Sequence, residues 1–220
     1  MLAFLHTASV HVPTFDALAQ ALGADVPVRH HVREDLFDSA LAAGSVTAAI
    51  RSAVHADVRM LVAEGARLVV CTCSTLGDSA ESTPLTRPVR VLRIDRPMAE
   101  YASSSGKPLL VVAATPSALS TAVNLLSEIR GSSSQVVREL SCADAWPFFR
   151  RGDRERYVAL VAERIAAKAE RGELVILAQA SMADARASIQ RDDIEVITSP
   201  DIGVRAAVAL YRAAVAADRQ

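Results

Sequence analysis

The sequence predicts an α/β fold of two pseudo-symmetric parallel-sheet domains with a cleft between them, and three observations carry that expectation. Short β-branched or apolar runs alternate with longer helical patterns from end to end, as β-α-β units require. The halves also repeat one another: EGARLVVCTCST and RGELVILAQASM both pass through a glycine, Gly65 or Gly172, into an apolar strand and a small polar loop. Likewise RIDRPM and VITSPD both leave a strand into a loop with proline at the same step, Pro97 and Pro200. The rival account is that any two β-α units look alike.

Taken in order, Leu2 to Leu5 is a short apolar run and reads as the first strand, followed by an Ala/Leu-rich helix from about Phe15 to Leu22. Val26 to Val32 reads as a strand and Ala48 to Ala63 as a long amphipathic helix; Leu68 to Cys71 and Val89 to Ile94 read as two more strands. In the second half the strands are Leu109 to Val112, Val136 to Leu140, Leu174 to Leu177 and Ile194 to Ile197. Helices are expected between them at about Ser117 to Ile129 and Glu155 to Ala169, with a last one at about Val204 to Ala216. The expected domains are 1–97 and 98–200, with the helix in 201–220 packing back on the first.

With 220 residues of which 51% are hydrophobic, the chain can bury one large core or two small ones, so disorder is excluded. The 24 basic and 25 acidic residues are scattered without long like-charge runs, which gives no reason to expect nucleic acid or an anionic membrane as partner. The expected ligand is small. The N-terminal MLAFLHTASVHVPTFDALAQ lacks the basic and apolar regions of a signal peptide. No apolar stretch approaches the ~20 residues that span a bilayer. Three cysteines, two of them one residue apart, do not form a disulfide framework, and a reducing cytoplasm is expected. The helix VRAAVALYRAAVAA can pack within a domain or against a second subunit, so a homo-oligomer is left open.

The stretch VVCTCSTLGD concentrates the candidate chemistry. A metal site is disfavoured because CxC stands alone, Cys142 lies far along the chain, and His30 and His31 point to opposite faces of a strand. A redox pair across one intervening residue would close a strained ring. Cys71 continues the apolar run Leu68, Val69, Val70 and reads as core. Cys73 differs: Thr72, Ser74, Thr75 and Gly77 surround it where the strand should end, so it reads as a nucleophile or base, with burial as the alternative. A thiolate must form from a free pKa of ~8.5, which calls for helix-start amides or a cationic neighbour. Such amides, with Ser74 and Thr75, would also hold a substrate carboxylate and stabilise an enediolate.

His6 and Thr7 end the first strand and should share this edge, which makes His6 the candidate for setting the thiol's protonation, or else an ordinary satisfied polar residue. Thr115 and Ser117 follow LLVVAA and read as helix caps that can also bind an anion. Arg96 either pairs with a substrate carboxylate or forms a salt bridge to Asp95 or another acid. Trp146, Phe148 and Phe149 suggest an apolar lid or core packing.

With CST after one apolar strand and QASM after ELVILA, the chain resembles the aspartate/glutamate racemase superfamily, which includes hydantoin racemases, maleate isomerase and arylmalonate decarboxylase. The resemblance implies a cofactor-independent enzyme acting on a small carboxylic acid. It implies that Cys73 is the first-domain cysteine, that Ser74 and Thr75 bind the carboxylate, and that Ala114 to Ser117 form an anion-binding loop. It also places Gln179, Ala180, Ser181 and Met182 where the family often has Cys-Thr-Gly-Met. Gln179 neither takes nor gives a proton at neutral pH, so a two-cysteine racemase is not expected. Cys73 could then serve as a one-sided acid or base, as in a decarboxylase-type lyase, or as a nucleophile toward a double bond, or another group could replace the second thiol. A binding protein that has lost catalysis is the competing class.

Overall fold

The structure, a computed structural model, describes residues 1–86 and 89–217. It contains two four-stranded parallel sheets flanked by helices, and the architecture is α/β. The chain divides into two units: Met1–Ile94 together with the chain from Pro200 onward, and Asp95–Ser199.

In the first unit, strands β1 (Leu2–His6), β2 (Val28–Val32), β3 (Leu68–Cys71) and β4 (Arg90–Arg93) are arranged in the order β2-β1-β3-β4. In the second, β5 (Leu109–Ala113), β6 (Val137–Ser141), β7 (Leu174–Leu177) and β8 (Glu195–Thr198) take the matching order β6-β5-β7-β8. The strands β1, β3, β5 and β7 are buried along their whole length, as an unbroken apolar run requires in a sheet covered on both faces.

Helices bury one stripe each against these sheets. Helix α1 (Val12–Gly23) and α2 (Glu34–Ala43) precede α3 (Ala48–Ala63), whose Thr47 hydroxyl caps it by accepting from the Ile50 amide at 3.3 Å. Ile50, Val54, Val58, Leu61 and Val62 recur at helical spacing and pack with Ala3, Leu5, Val69 and Cys71. After α4 (Ser74–Glu81) and α5 (Arg96–Ser104), α6 (Pro116–Arg130) opens with its proline in the first turn. The short α7 (Trp146–Arg150) lies against the second core, where Trp146 stacks on Phe149 at 5.0 Å, so this aromatic segment is packing rather than a free lid. Helix α8 (Arg154–Lys168) adds Tyr157, Leu160, Val161 and Ile165 to that core beside Leu110, Val112, Val175 and Leu177. The one-turn α9 (Ala185–Ser188) and the long α10 (Ser199–Ala217) complete the chain.

Two sequence expectations change. RPM and SPD are not loops: α5 and α10 begin there, and Pro97 and Pro200 occupy first turns, where a missing N–H costs no helical hydrogen bond. The second strand begins at Val28 rather than Val26, because the Val26 amide closes a turn onto the Gly23 carbonyl at 2.8 Å. The glycines singled out by the internal likeness, Gly65 and Gly172, have φ of 98° and 83° and turn each chain from helix into strand.

The return of α10 to the first unit is close. A methyl on Gly203 would collide with the Ile94 carbonyl oxygen and side chain, and the backbone cannot yield cheaply. Gly203→Ala is expected to destabilise the first unit by about 2–3 kcal/mol, measured by urea denaturation.

Candidate active site

In an order such as β2-β1-β3-β4 the crossovers diverge between β1 and β3, and the carboxyl ends of those strands form the crevice where ligands bind in open α/β sheets. Thr7 follows β1, half-buried, and Thr72, Cys73, Ser74 and Thr75 follow β3. Cys73 occupies the cap position of α4 in an extended conformation, φ −97° and ψ 114°, so its side chain stands beside the first turn of that helix. At 9% exposure it is buried, but less completely than Cys71 and Cys142, both at 0%. Burial pushes the Cys142 thiol up to about 11. The Cys71 thiol donates to the Cys73 carbonyl at 3.6 Å.

Arg93, at the end of β4, was not singled out by sequence, yet it shapes this loop. It is 3% exposed, its Nη2 donates to the Ser74 carbonyl at 3.4 Å, and its amide donates to Glu81 Oε1 at 3.0 Å. Its stem crosses α4 where Gly77 leaves room; a Cβ there would lie 2.8 Å from the Arg93 Cβ. The only signal was a glycine within a short helix facing a strand-end arginine.

His6 is wholly buried and both ring nitrogens are engaged: Nδ1 with the Thr72 hydroxyl at 2.9 Å and Nε2 with His30 Nδ1 at 2.9 Å. Its ring packs with Phe4, Phe15 and His30. Cys73 belongs instead to the core of Leu5, Cys71 and Leu76, which is the alternate face of the same strands. Burial, aided by the nearby charges of His30 and His11, lowers the His6 pKa to about 3, so the ring is neutral at physiological pH. His6 was expected to set the thiol's protonation; its hydrogen bonds in the structure go to Thr72, the residue before Cys73, and to His30.

In the second unit the same edge carries Ala114, Thr115, Ser117, Gln179 and Ala180. Thr115 Oγ1 caps α6 by accepting from the Ala118 amide at 3.3 Å and lies 3.4 Å from Ser117 Oγ. Gln179 Oε1 accepts from the Ala114 amide at 2.6 Å. Ser181 turns into the core, 2.9 Å from the Tyr157 hydroxyl, whose pKa burial drives well above its ordinary value. Arg96 opens α5 and pairs with Glu128 of α6 at 3.2 Å.

The registers make the two edges comparable. Leu2 pairs with Val28 and Leu68, while Leu109 pairs with Val137 and Leu174. Counting equally from those anchors, Cys73 matches Gln179 and Thr7 matches Ala114. Among the described residues no group of three His, Cys, Asp or Glu side chains is placed to hold a metal, and no helix is long and apolar enough to cross a membrane.

Residues 12–207 match the family described as Asp/Glu/Hydantoin racemase. Among solved structures, an aspartate racemase from Picrophilus torridus superposes with TM-score 0.68 at 14% identity, covering 97% of this chain and 94% of that one. A glutamate racemase from Bacillus anthracis gives 0.68 at 12% identity, covering 97% and 82%. An arylmalonate decarboxylase gives 0.52 at 15% identity, covering 96% and 91%. These likenesses are of fold. No curated protein matches the chain.

Iodoacetamide under native conditions is expected to label Cys73 before Cys71 and Cys142, read by peptide mass spectrometry; earlier labelling of either buried thiol would contradict the exposure order. Because the His6 pKa falls from 6.5 to about 3 on folding, the unfolded chain binds the extra proton first as pH drops. Stability contributed by neutral His6 is thus present above about pH 6.5 and is lost progressively toward pH 3. Urea midpoints should fall over that window, and His6→Asn should flatten the upper part of it while lowering stability at pH 7.

Proposed function

The chain belongs to the Asp/Glu/Hydantoin racemase family, and from that premise we propose an enzyme that binds a small carboxylic acid at the carboxyl edge of the first sheet and uses Cys73 for proton-transfer or isomerisation chemistry without a cofactor. The observation that carries this reading is the placement of Cys73: the least buried of the three cysteines, at the cap of α4, beside the crevice between β1 and β3.

The chemistry follows from what surrounds that position. Amides of the first turn of α4 favour negative charge, both on a thiolate and on a bound carboxylate. A Cys73 thiolate takes the proton from the substrate's α-carbon, the electron pair left behind moves into the carboxylate as an enediolate, and the thiol returns a proton to that carbon. The helix-start donors, with Ser74, Thr75 and Thr7, stabilise the charge that develops. His6 positions Thr72 through its Nδ1 and stays neutral, its Nε2 being turned to His30.

The edge of the second sheet offers donors of the same kind in Thr115, Ser117 and the Gln179 amide nitrogen, but no acid or base at the position matching Cys73. This favours one-sided proton delivery or thiol addition to a double bond over two-thiol racemisation. Gln179 also supports a second reading, a carboxylate-binding protein without turnover. Ser181 and Arg96 are satisfied by Tyr157 and Glu128 and are set aside as substrate contacts.

The test is incubation in heavy water with amino, hydroxy, malonic and unsaturated diacids, followed by NMR. Deuterium at the α-carbon, isomerisation or loss of CO2 is expected with at least one class, reduced about 100-fold or more in Cys73→Ala. Binding without turnover would favour the second reading, and turnover unaffected in Cys73→Ala would remove Cys73 from the chemistry.

A further inference from the structure

A chain of polar groups runs from the candidate site to the surface through the aromatic packing of the first unit. Thr72 Oγ1 lies 2.9 Å from His6 Nδ1, and His6 Nε2 lies 2.9 Å from His30 Nδ1. His30 Nε2 lies 3.6 Å from Asp16 Oδ1, an exposed carboxylate whose Oδ2 accepts from Gln20 Nε2 at 2.9 Å. The Thr72 hydroxyl also lies 3.2 Å from the Leu5 carbonyl. It carries one hydrogen and therefore serves either His6 or Leu5, never both.

Two arrangements satisfy the Thr72 hydroxyl, both nitrogens of His6 and His30 Nδ1, while His30 Nε2 lies near Asp16 but beyond hydrogen-bond distance. In the first, Thr72 donates to His6 Nδ1, His6 Nε2–H donates to His30 Nδ1, and His30 Nε2–H faces Asp16; both imidazoles are neutral. In the second, His30 carries a proton on each nitrogen, donates from Nδ1 to His6 Nε2 and keeps its charge beside Asp16. His6 then holds its hydrogen on Nδ1 and donates to Thr72, whose hydroxyl turns to the Leu5 carbonyl. The arrangements differ by a single proton, and the Thr72–His6 and His6–His30 hydrogen bonds both reverse direction while His30 Nε2–H faces Asp16 in each. We propose that Thr72, His6 and His30 form a proton-coupled hydrogen-bond relay with the Asp16 carboxylate as a charge beside its outer end, in which protonation of His30 flips the tautomer of His6 and reorients the hydroxyl next to Cys73.

Several features make the relay a unit. His6 is buried, so the extra charge belongs on the outer ring, in line with the low His6 pKa. Phe4 stacks on His30 at 5.4 Å and on His6 at 5.8 Å, which holds both rings in place. The titratable and charged neighbours are Asp16 on α1, His6 on β1 and His11 in the turn before α1. The other face of β2 has its own charges: Arg29 pairs with Glu64, and His31 and Arg33 both face Asp57.

Long-range proton–nitrogen NMR of the imidazoles, on the full chain between about pH 8.5 and 5, tests the relay directly because it reports protonation and tautomer for each ring. His30 is expected to gain a proton while His6 stays neutral and passes from the Nε2–H to the Nδ1–H form with the same midpoint. A His6 tautomer that is unchanged across the range, or that changes with a different midpoint, overturns the proposal, as does a His30 that never titrates. In Asp16→Asn, a surface change that should leave the fold intact, both midpoints should fall together by about 0.5 pH unit; movement of His30 alone counts against the coupling. His30→Gln should lock His6 in one tautomer, and a persistent swap would place the sensor elsewhere. His31→Asn should leave the swap in place, and its loss would assign the effect to the opposite face.

Discussion

The seam between β1 and β3 is the constraint on which the candidate site depends. The Leu5 carbonyl receives the Thr72 amide at 2.9 Å and lies within 3.2 Å of the same residue's hydroxyl, so the chain leaving β3 is held at the moment it departs from the sheet. That anchor fixes where Cys73 emerges and where α4 begins. It also sorts side chains by face: Leu5, Cys71 and Cys73 join the core under α3, whereas His6 joins the aromatic group of Phe4, Phe15 and His30. A small lateral shift of this seam would exchange the two sets.

One topology is used twice and filled differently. At the positions matching His6 and Thr7, the second sheet has Ala113 and Ala114, and no buried imidazole is needed there. Where the first sheet presents a thiol, the second presents a carboxamide that closes back on the Ala114 amide. That bond satisfies a backbone donor at the strand end, a structural task that a thiol performs poorly because sulfur is a weak acceptor. The two edges therefore differ in chemistry, a thiol at the first and neutral hydrogen-bonding groups at the second.

Much of this was legible in the sequence, for identifiable reasons. Continuous apolar runs mark β1, β3, β5 and β7 because those strands are covered on both faces, and strong periodicity marks α3, α6 and α8. The apolar run marked Cys71 as core, but where it stops gave no sign that Cys73 joins the same core. By contrast, α2 buries only Leu36 and Ala40, a stripe too thin to stand out, and α5 starts on an arginine and a proline that resemble a turn. The contact of His6 with His30 depends on strand register, with Phe4 opposite His30, and no local pattern encodes it. Arg93 was invisible for a similar reason: a cation at a strand end is ordinarily solvated, and only the approach of α4 at Gly77 encloses it.

The path of the chain through the two units has a consequence for how the protein comes off the ribosome. The second unit is one uninterrupted stretch and is complete once Ser199 has emerged. The first must wait for α10, which seats Val208 against Gly23 and Gly203 against Ile94. Until then the surface that α10 will cover stays open, including Gly23 at the end of α1. Vectorial synthesis thus leaves the first unit as the last to consolidate, after the second is finished, and makes the interval before α10 arrives the period of greatest exposure to aggregation.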